Sequence, residues 1–166
     1  PATVSIDGPD GDRHFNGIVT QTRWAGPAEN GHRYEVTLRP WCWLAGRRRN
    51  QRIFHGKTVV QILTELFAEY ADLGAPALEF RLSEEYPVLE YTVQYRESDL
   101  DFARRQLERA GISFHFRHDA DGHTMVLTDD VLAHETVGLR PFRPSRGDPR
   151  PAMPDAGGEH FREWAP

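Results

Sequence analysis

The 166-residue chain has a single cysteine, Cys42, so no disulfide can form within it and nothing in it calls for an oxidising compartment. It has no apolar run near the roughly 20 residues needed to cross a bilayer, and no basic-then-apolar start of a secretory signal. A surplus of positive charge is missing too. Lys+Arg number 20 against 25 Asp+Glu, and the net charge of −5 argues against a general polyanion binder. Signatures of catalysis are absent: no Gly-x-Ser-x-Gly elbow, no phosphate-binding glycine loop, no His-Glu-x-x-His and no cysteine pair. The chain opens Pro-Ala-Thr-Val without a methionine and is expected to be a piece of a longer protein. What remains, 39% hydrophobic and 27% charged residues, fits a globular domain, or one domain plus part of another.

The most informative segment is 90–116, EYTVQYRESDLDFARRQLERAGISFHF. Leu89, Tyr91, Val93 and Tyr95 alternate with Glu90, Thr92 and Gln94, the period of a half-buried strand with its apolar side inward. Ser98 offers a side-chain oxygen to the first amides of a helix, and Asp101 stands three residues on. Asp99 and Asp101 lie at the positive end of that helix, with Arg104, Arg105 and Arg109 toward its negative end. Gly111 is placed to stop it in a left-handed turn, after which Ile112, Phe114 and Phe116 resume a strand.

Three regions follow from pattern, divided at 1–50, 51–130 and 131–166. The first is β-like to about Leu44, with strands near 3–6, 15–22 and 34–38, a loop holding Gly26, Pro27, Asn30 and Gly31, and Pro40 marking a strand end or edge. In the second, Thr58 and Gln61 have capping-box spacing. Val59, Ile62, Leu63, Leu66, Phe67 and Tyr70 then form one helical apolar stripe. Leu78, Phe80 and Leu82 alternate as a strand, and a hairpin runs from Ile112 through the turn Asp119-Ala120-Asp121-Gly122 to Leu127. The order helix, strand, strand, helix, strand, strand predicts an α+β layer, two helices on a mainly antiparallel sheet. The third region is rich in Pro, Arg and Gly and is expected to be an extended or disordered connector, with Phe161 and Trp164 opening another folded segment.

Each candidate for chemistry has a structural rival. His115, His118 and His123 fall in the last hairpin, with His118 near His123 and Asp119 and Asp121 between them. Tetrahedral metal sites need further ligands at recognisable spacing, so a solvated hairpin tip is the stronger reading. Arg47, Arg48, Arg49, Arg52 and Lys57, with Trp41 and Trp43, could hold phosphates and bases. An inter-domain corner or a docking surface for an acidic partner competes, and the acidic chain favours these over nucleic acid. The pairs Glu84/Glu85, Asp99/Asp101 and Asp129/Asp130 show no two tuned carboxyls sharing a cleft. Cys42, between Trp41 and Trp43, reads as a packing residue. No catalytic, cofactor-binding or metal residue is assigned.

Several segments together resemble the VgrG family, the spike proteins of bacterial type VI secretion, and the related hubs of contractile phage tails. They are 14–20 (HFNGIVT), 34–44 (YEVTLRPWCWL), 47–54 (RRRNQRIF), the helix from Val59 to Leu66, and above all 93–102 (VQYRESDLDF) followed by Gly111-Ile112. The resemblance implies a homotrimeric hub in the full-length protein. Residues 1–50 would belong to a partial tube-like β-barrel and 51–130 to an inserted α+β domain. It further implies docking on the Hcp tube hexamer, and a C-terminal needle with a tip protein and effectors. Assembly would take place in the bacterial cytoplasm, followed by translocation into a target cell. From charge, missing motifs and the lack of a long apolar run, no nucleic acid partner, no cofactor and no stable membrane insertion by this segment are expected. A phage tail hub or tail-like particle is the alternative, and a cell-wall or nucleic-acid hydrolase a lower one.

Overall fold

The described residues, 1–8, 11–74 and 76–134, form three sheets and two long helices in the computed structural model. Strands β1 (Ala2–Ile6), β2 (Arg13–Ala28) and β3 (Gly31–Arg39) make an antiparallel sheet in that order. Strand β2 is far longer than its alternation predicts. It runs through Gly26 and Pro27, which face Arg33 and His32, and the expected loop shrinks to a turn at Glu29 and Asn30. Register shifts at Val19/Gln21 and Trp24/Gly26 take up the irregular residues, which is how a glycine and a proline persist inside a strand. Gly17 is required by proximity, since a Cβ there would lie 2.8 Å from the carbonyl oxygen of Arg39.

Pro40 ends β3 as expected, but the next residues are not β-like. Trp41–Arg47 form a 3₁₀ helix, opened by the Trp43 amide donating to Pro40 O at 3.0 Å. The run WCWLAG has no alternation to offer a sheet, and the helical turn brings Trp41, Cys42 and Ala45 together into the core. Strand β4 (Arg49–Lys57) was not anticipated, because Ile53 and Phe54 are its only large apolar residues. It pairs antiparallel with β6 (Leu89–Ser98).

Helix α1 (Val59–Ala68) carries the full capping box: Gln61 N donates to Thr58 Oγ1 at 3.2 Å, and Thr58 N donates to Gln61 Oε1 at 2.9 Å. Its whole predicted stripe, from Val59 to Tyr70, is buried. After the short α2 (Ala71–Gly74), β5 (Ala77–Arg81) lies parallel to β8 (His123–Thr128), which pairs antiparallel with β7 (Ser113–His118). Helix α3 (Asp99–Ala110) begins with Asp101 N donating to Ser98 Oγ at 3.0 Å and ends at Gly111 in the left-handed region, φ 70°. The chain is therefore α+β with mainly antiparallel sheets, and the β1–β3 sheet does not close into a barrel among the described residues.

The core lies between α1, α3, the 3₁₀ helix, β4 and β8. Trp41 meets Phe67 edge-on with centroids 5.0 Å apart, and Phe54 stacks on Phe102 at 5.5 Å. One expectation is reversed. Strand β6 alternates, but its inward side is the polar one: Thr92 and Gln94 are buried, while Tyr91, Val93 and Tyr95 face out. Gln94 is drawn in by a buried carboxylate at the start of α3. A 3₁₀ turn at Val131–Ala133 begins the segment expected to be a connector. The rest of that segment, with Phe161 and Trp164, lies outside the described residues.

Candidate functional site

The densest polar cluster centres on Asp99, whose side chain is fully buried. Oδ1 accepts from Arg52 Nη2 and from Gln94 Nε2, both at 2.7 Å, and Oδ2 accepts from the Tyr70 hydroxyl at 2.6 Å. The Asp99 amide donates to Arg48 O at 3.0 Å, and Arg48 and Arg52 both pair with Glu69. Burial, and then the hydrogen bond to Asp99, push the Tyr70 hydroxyl far above the usual phenol range, so it remains a donor. Four elements converge here: β4, the end of α1, β6 and the start of α3. With three donors from three different elements converging on one buried carboxylate, the cluster is a keystone. Sequence reasoning gave Asp99 only a helix-end role. The missed signal was an apolar stripe ending in a hydroxyl, Tyr70, and an arginine, Arg52, in a stretch with little apolar pattern.

Most of the basic run is spent in the same way, Arg49 of β4 alone standing exposed opposite Ser98 with no ion pair to a described residue. Arg52 and Arg48 are held as described, Lys57 pairs with Glu65, and Arg47 lies over the Trp43 ring at 5.5 Å. Trp41 is buried and offers no face to a base. Cys42 is buried, and desolvation raises its thiol to about 11, which leaves it unreactive.

His118 and His123 do stand opposite each other, as their positions predict. His123 Nε2 accepts from the Trp41 amide at 3.0 Å and His118 Nδ1 from the Asn16 amide at 3.0 Å. Burial lowers both imidazoles below their ordinary value, with the neighbouring His118 a second cause for His123. They act as struts from the β7–β8 hairpin to the 3₁₀ helix and β2. Asp119 Oδ1 accepts from the Asp121 and Gly122 amides of its own turn. Among the described residues no three His, Cys, Asp or Glu side chains converge as metal ligands, and no helix is long and apolar enough to cross a membrane. A cavity of about 640 Å³ beside this turn is lined by Asp72, Asp119, Asp121 and His123 together with β1 and β2 residues.

What remains available is apolar surface. Register places Val4 with Phe15, Thr22 with Val36 and Trp24 with Tyr34 on one face of the β1–β3 sheet, joined by Ile6 and Val19. Seven large apolar side chains of that face are exposed, Tyr34 at 63% and Trp24 at 58%. The opposite face holds Asn16 and Ile18 against the body of the chain. A second outward face, on the β4–β6 ribbon, carries Ile53, Tyr91, Val93 and Tyr95. The alternation of Tyr34, Val36 and Leu38 was legible, but not that this side would be left uncovered.

The sequence matches the phage tail baseplate hub (GPD) family over residues 1–166. The type VI secretion system spike protein VgrG1b of Pseudomonas aeruginosa PAO1 is 36% identical over 168 residues, 99% of this chain and 22% of that protein. VgrG4b of the same organism is 45% identical over 106 residues, covering 64% of this chain and 13% of that one. A solved structure, the E. coli c3393 protein, superposes with a TM-score of 0.70 at 30% identity over 87% of this chain and 39% of that chain. That protein is described as a component of the type VI secretion system with structural similarity to the T4 bacteriophage tail proteins gp27 and gp5. The chain thus spans 22% of the length of VgrG1b, its relative along nearly its whole extent.

Proposed function

Because the chain belongs to the phage tail baseplate hub family and is similar to VgrG spike proteins of type VI secretion, we propose that it is a rigid docking module of such a spike. In the full-length protein it assembles with two further copies, sits on the Hcp tube hexamer, and stands behind a C-terminal needle that carries a tip protein and effectors. It is built in the bacterial cytoplasm and leaves with the spike, helping to puncture the target cell. Residues 1–50 act as the tube-like part and 51–130 as the bracing domain, joined through 131–166 to the rest of the hub. The module itself makes and breaks no bonds.

The supporting observation is the exposed face of β1–β3. Contiguous apolar surface on this scale suits a face that another chain covers. The test is the solution mass of the full-length parent, alone and mixed with its tube protein, for the native chain and for Trp24→Glu and Val36→Glu. A native trimer that binds tube, with folded variants that do neither, supports the reading. A native monomer, or variants that assemble normally, overturns it. The phage tail hub family match, and the likeness of c3393 to T4 tail proteins, make a contractile phage tail the alternative setting. Genes beside the parent decide between them, with a membrane-anchored secretion complex on one side and head and packaging proteins on the other.

A further inference from the structure

A separate cavity of about 280 Å³ opens between the C-terminal half of α3, the start of α1 and the chain entering β6. Its walls are apolar: Val59, Tyr86, Pro87, Leu89 and Ala110. Two polar groups interrupt them. Gln106 is almost fully buried, and its side-chain amide nitrogen has no hydrogen-bond partner among the described residues. A buried donor left unpaired is costly and uncommon in a native fold, so it marks a place where an acceptor belongs. Arg109, one helical turn further on, is exposed at the mouth and forms no ion pair with a described residue.

The wall opposite α3 is fixed in advance. Asp129 accepts from the Ser83 and Glu84 amides at 2.9 Å each, and from the Tyr86 hydroxyl at 3.0 Å, which pins the loop that presents Tyr86 to the cavity. A site whose shape survives without its ligand loses less freedom on binding.

We propose that this cavity is a recognition pocket for an extended peptide segment of a partner protein in which an apolar side chain stands beside a carboxylate. The volume suits one leucine- or phenylalanine-sized side chain and does not suit a cofactor. The apolar group lies against Val59, Leu89 and Ala110. The Gln106 amide, itself closed off from solvent, turns toward the cavity so that Nε2 donates to a backbone carbonyl of the segment, and the carboxylate meets Arg109 at the rim. The pocket is formed by elements distant from the β1–β3 face, so the inference does not require the trimeric arrangement.

The probe is N-acetyl-L-leucine, with N-acetyl-L-leucinamide as the partner lacking the charge, titrated into the isotope-labelled chain and followed by amide resonances. The acid should shift Leu89, Gln106 and Ala110, leaving the β1–β3 face unmoved. Arg109→Gln, a surface change, should weaken the acid about tenfold and leave the amide probe as it was. Gln106→Leu should weaken both about tenfold, the scale of one lost hydrogen bond in a shielded site. Absence of shifts at the pocket up to the probe's solubility limit overturns the proposal, and so does binding of acid and amide that neither substitution alters. Neither result bears on whether the parent trimerises, which the mass measurement decides independently.

Discussion

At the scale of single residues, two carboxylates hold the chain together in different ways. Asp99 is enclosed, and each of its three side-chain partners is a donor aimed at an oxygen. Asp99→Asn keeps the shape but turns one oxygen into a donor, facing either Tyr70 or the Arg52–Gln94 pair, and leaves Arg52 with a weakened counterion. Breaking a buried pair from one side typically costs about 3–5 kcal/mol, and chemical denaturation of the variant should show a loss on that scale. A variant within experimental error of the native chain would remove Asp99 from the keystone role. Asp129 is half-buried, and the Ser83 and Glu84 amides, with the Tyr86 and Ser83 hydroxyls, hold its carboxyl down to about 2, against an ordinary 3.8. Its folded pKa lies below the unfolded one, so its contribution is present above about pH 3.8 and fades as pH falls through about 2. Stability measured from pH 5 downward should lose part of its acid limb in Asp129→Asn; identical curves would argue that the loop clamp is idle.

At the scale of elements, what was legible is what local chemistry decides. Helix α3 announces itself because Ser98, Asp101 and Gly111 settle their own cap geometries within a few residues. Helix α1 does so through Thr58 and Gln61 and an unbroken stripe. The β6 alternation was equally visible, but the side it turns inward depends on Asp99 and Arg52, and no sequence period reports such partners. The same blindness hid β4, whose apolar content is too small to signal a strand, and the 3₁₀ helix around Trp41, whose residues are gathered by the core. Of the surfaces, the composition of the β1–β3 face was readable and its exposure was not. The contrast between Phe102 and Tyr95 tests this account. Phe102 is fully buried against Phe54, so Phe102→Ala should cost about 3–5 kcal/mol, while Tyr95, 62% exposed, should cost under about 1 kcal/mol as Tyr95→Ala in the isolated chain. Equal losses in thermal or urea unfolding would mean that the β4–β6 face is covered in solution.

At the scale of the whole molecule, the question is how a sheet with one uncovered face is kept rigid against the rest. Two of the links are long in sequence and short in space: His118 to Asn16 across 102 residues and His123 to Trp41 across 82. In the latter pair a neutral imidazole nitrogen accepts a backbone amide proton, which a protonated ring cannot do. Burial holds both histidines below the ordinary 6.5. The folded chain therefore resists protons that the unfolded chain accepts. Stability should be constant above about pH 6.5 and decline as pH falls below it, until the folded rings themselves protonate. The loss should be local before it is global. Hydrogen exchange at pH 5 should quicken in β2 and the 3₁₀ helix, corrected for the intrinsic rate, while α1 and α3 stay protected by the aromatic core. His123→Gln, whose side-chain oxygen can accept the Trp41 proton at any pH, should flatten that dependence; uniform exchange throughout the chain at both pH values would refute the view that these histidines carry force from sheet to core. In the docking role proposed above, such links would matter more than total stability, since a sheet that slips against its support would pass on no force.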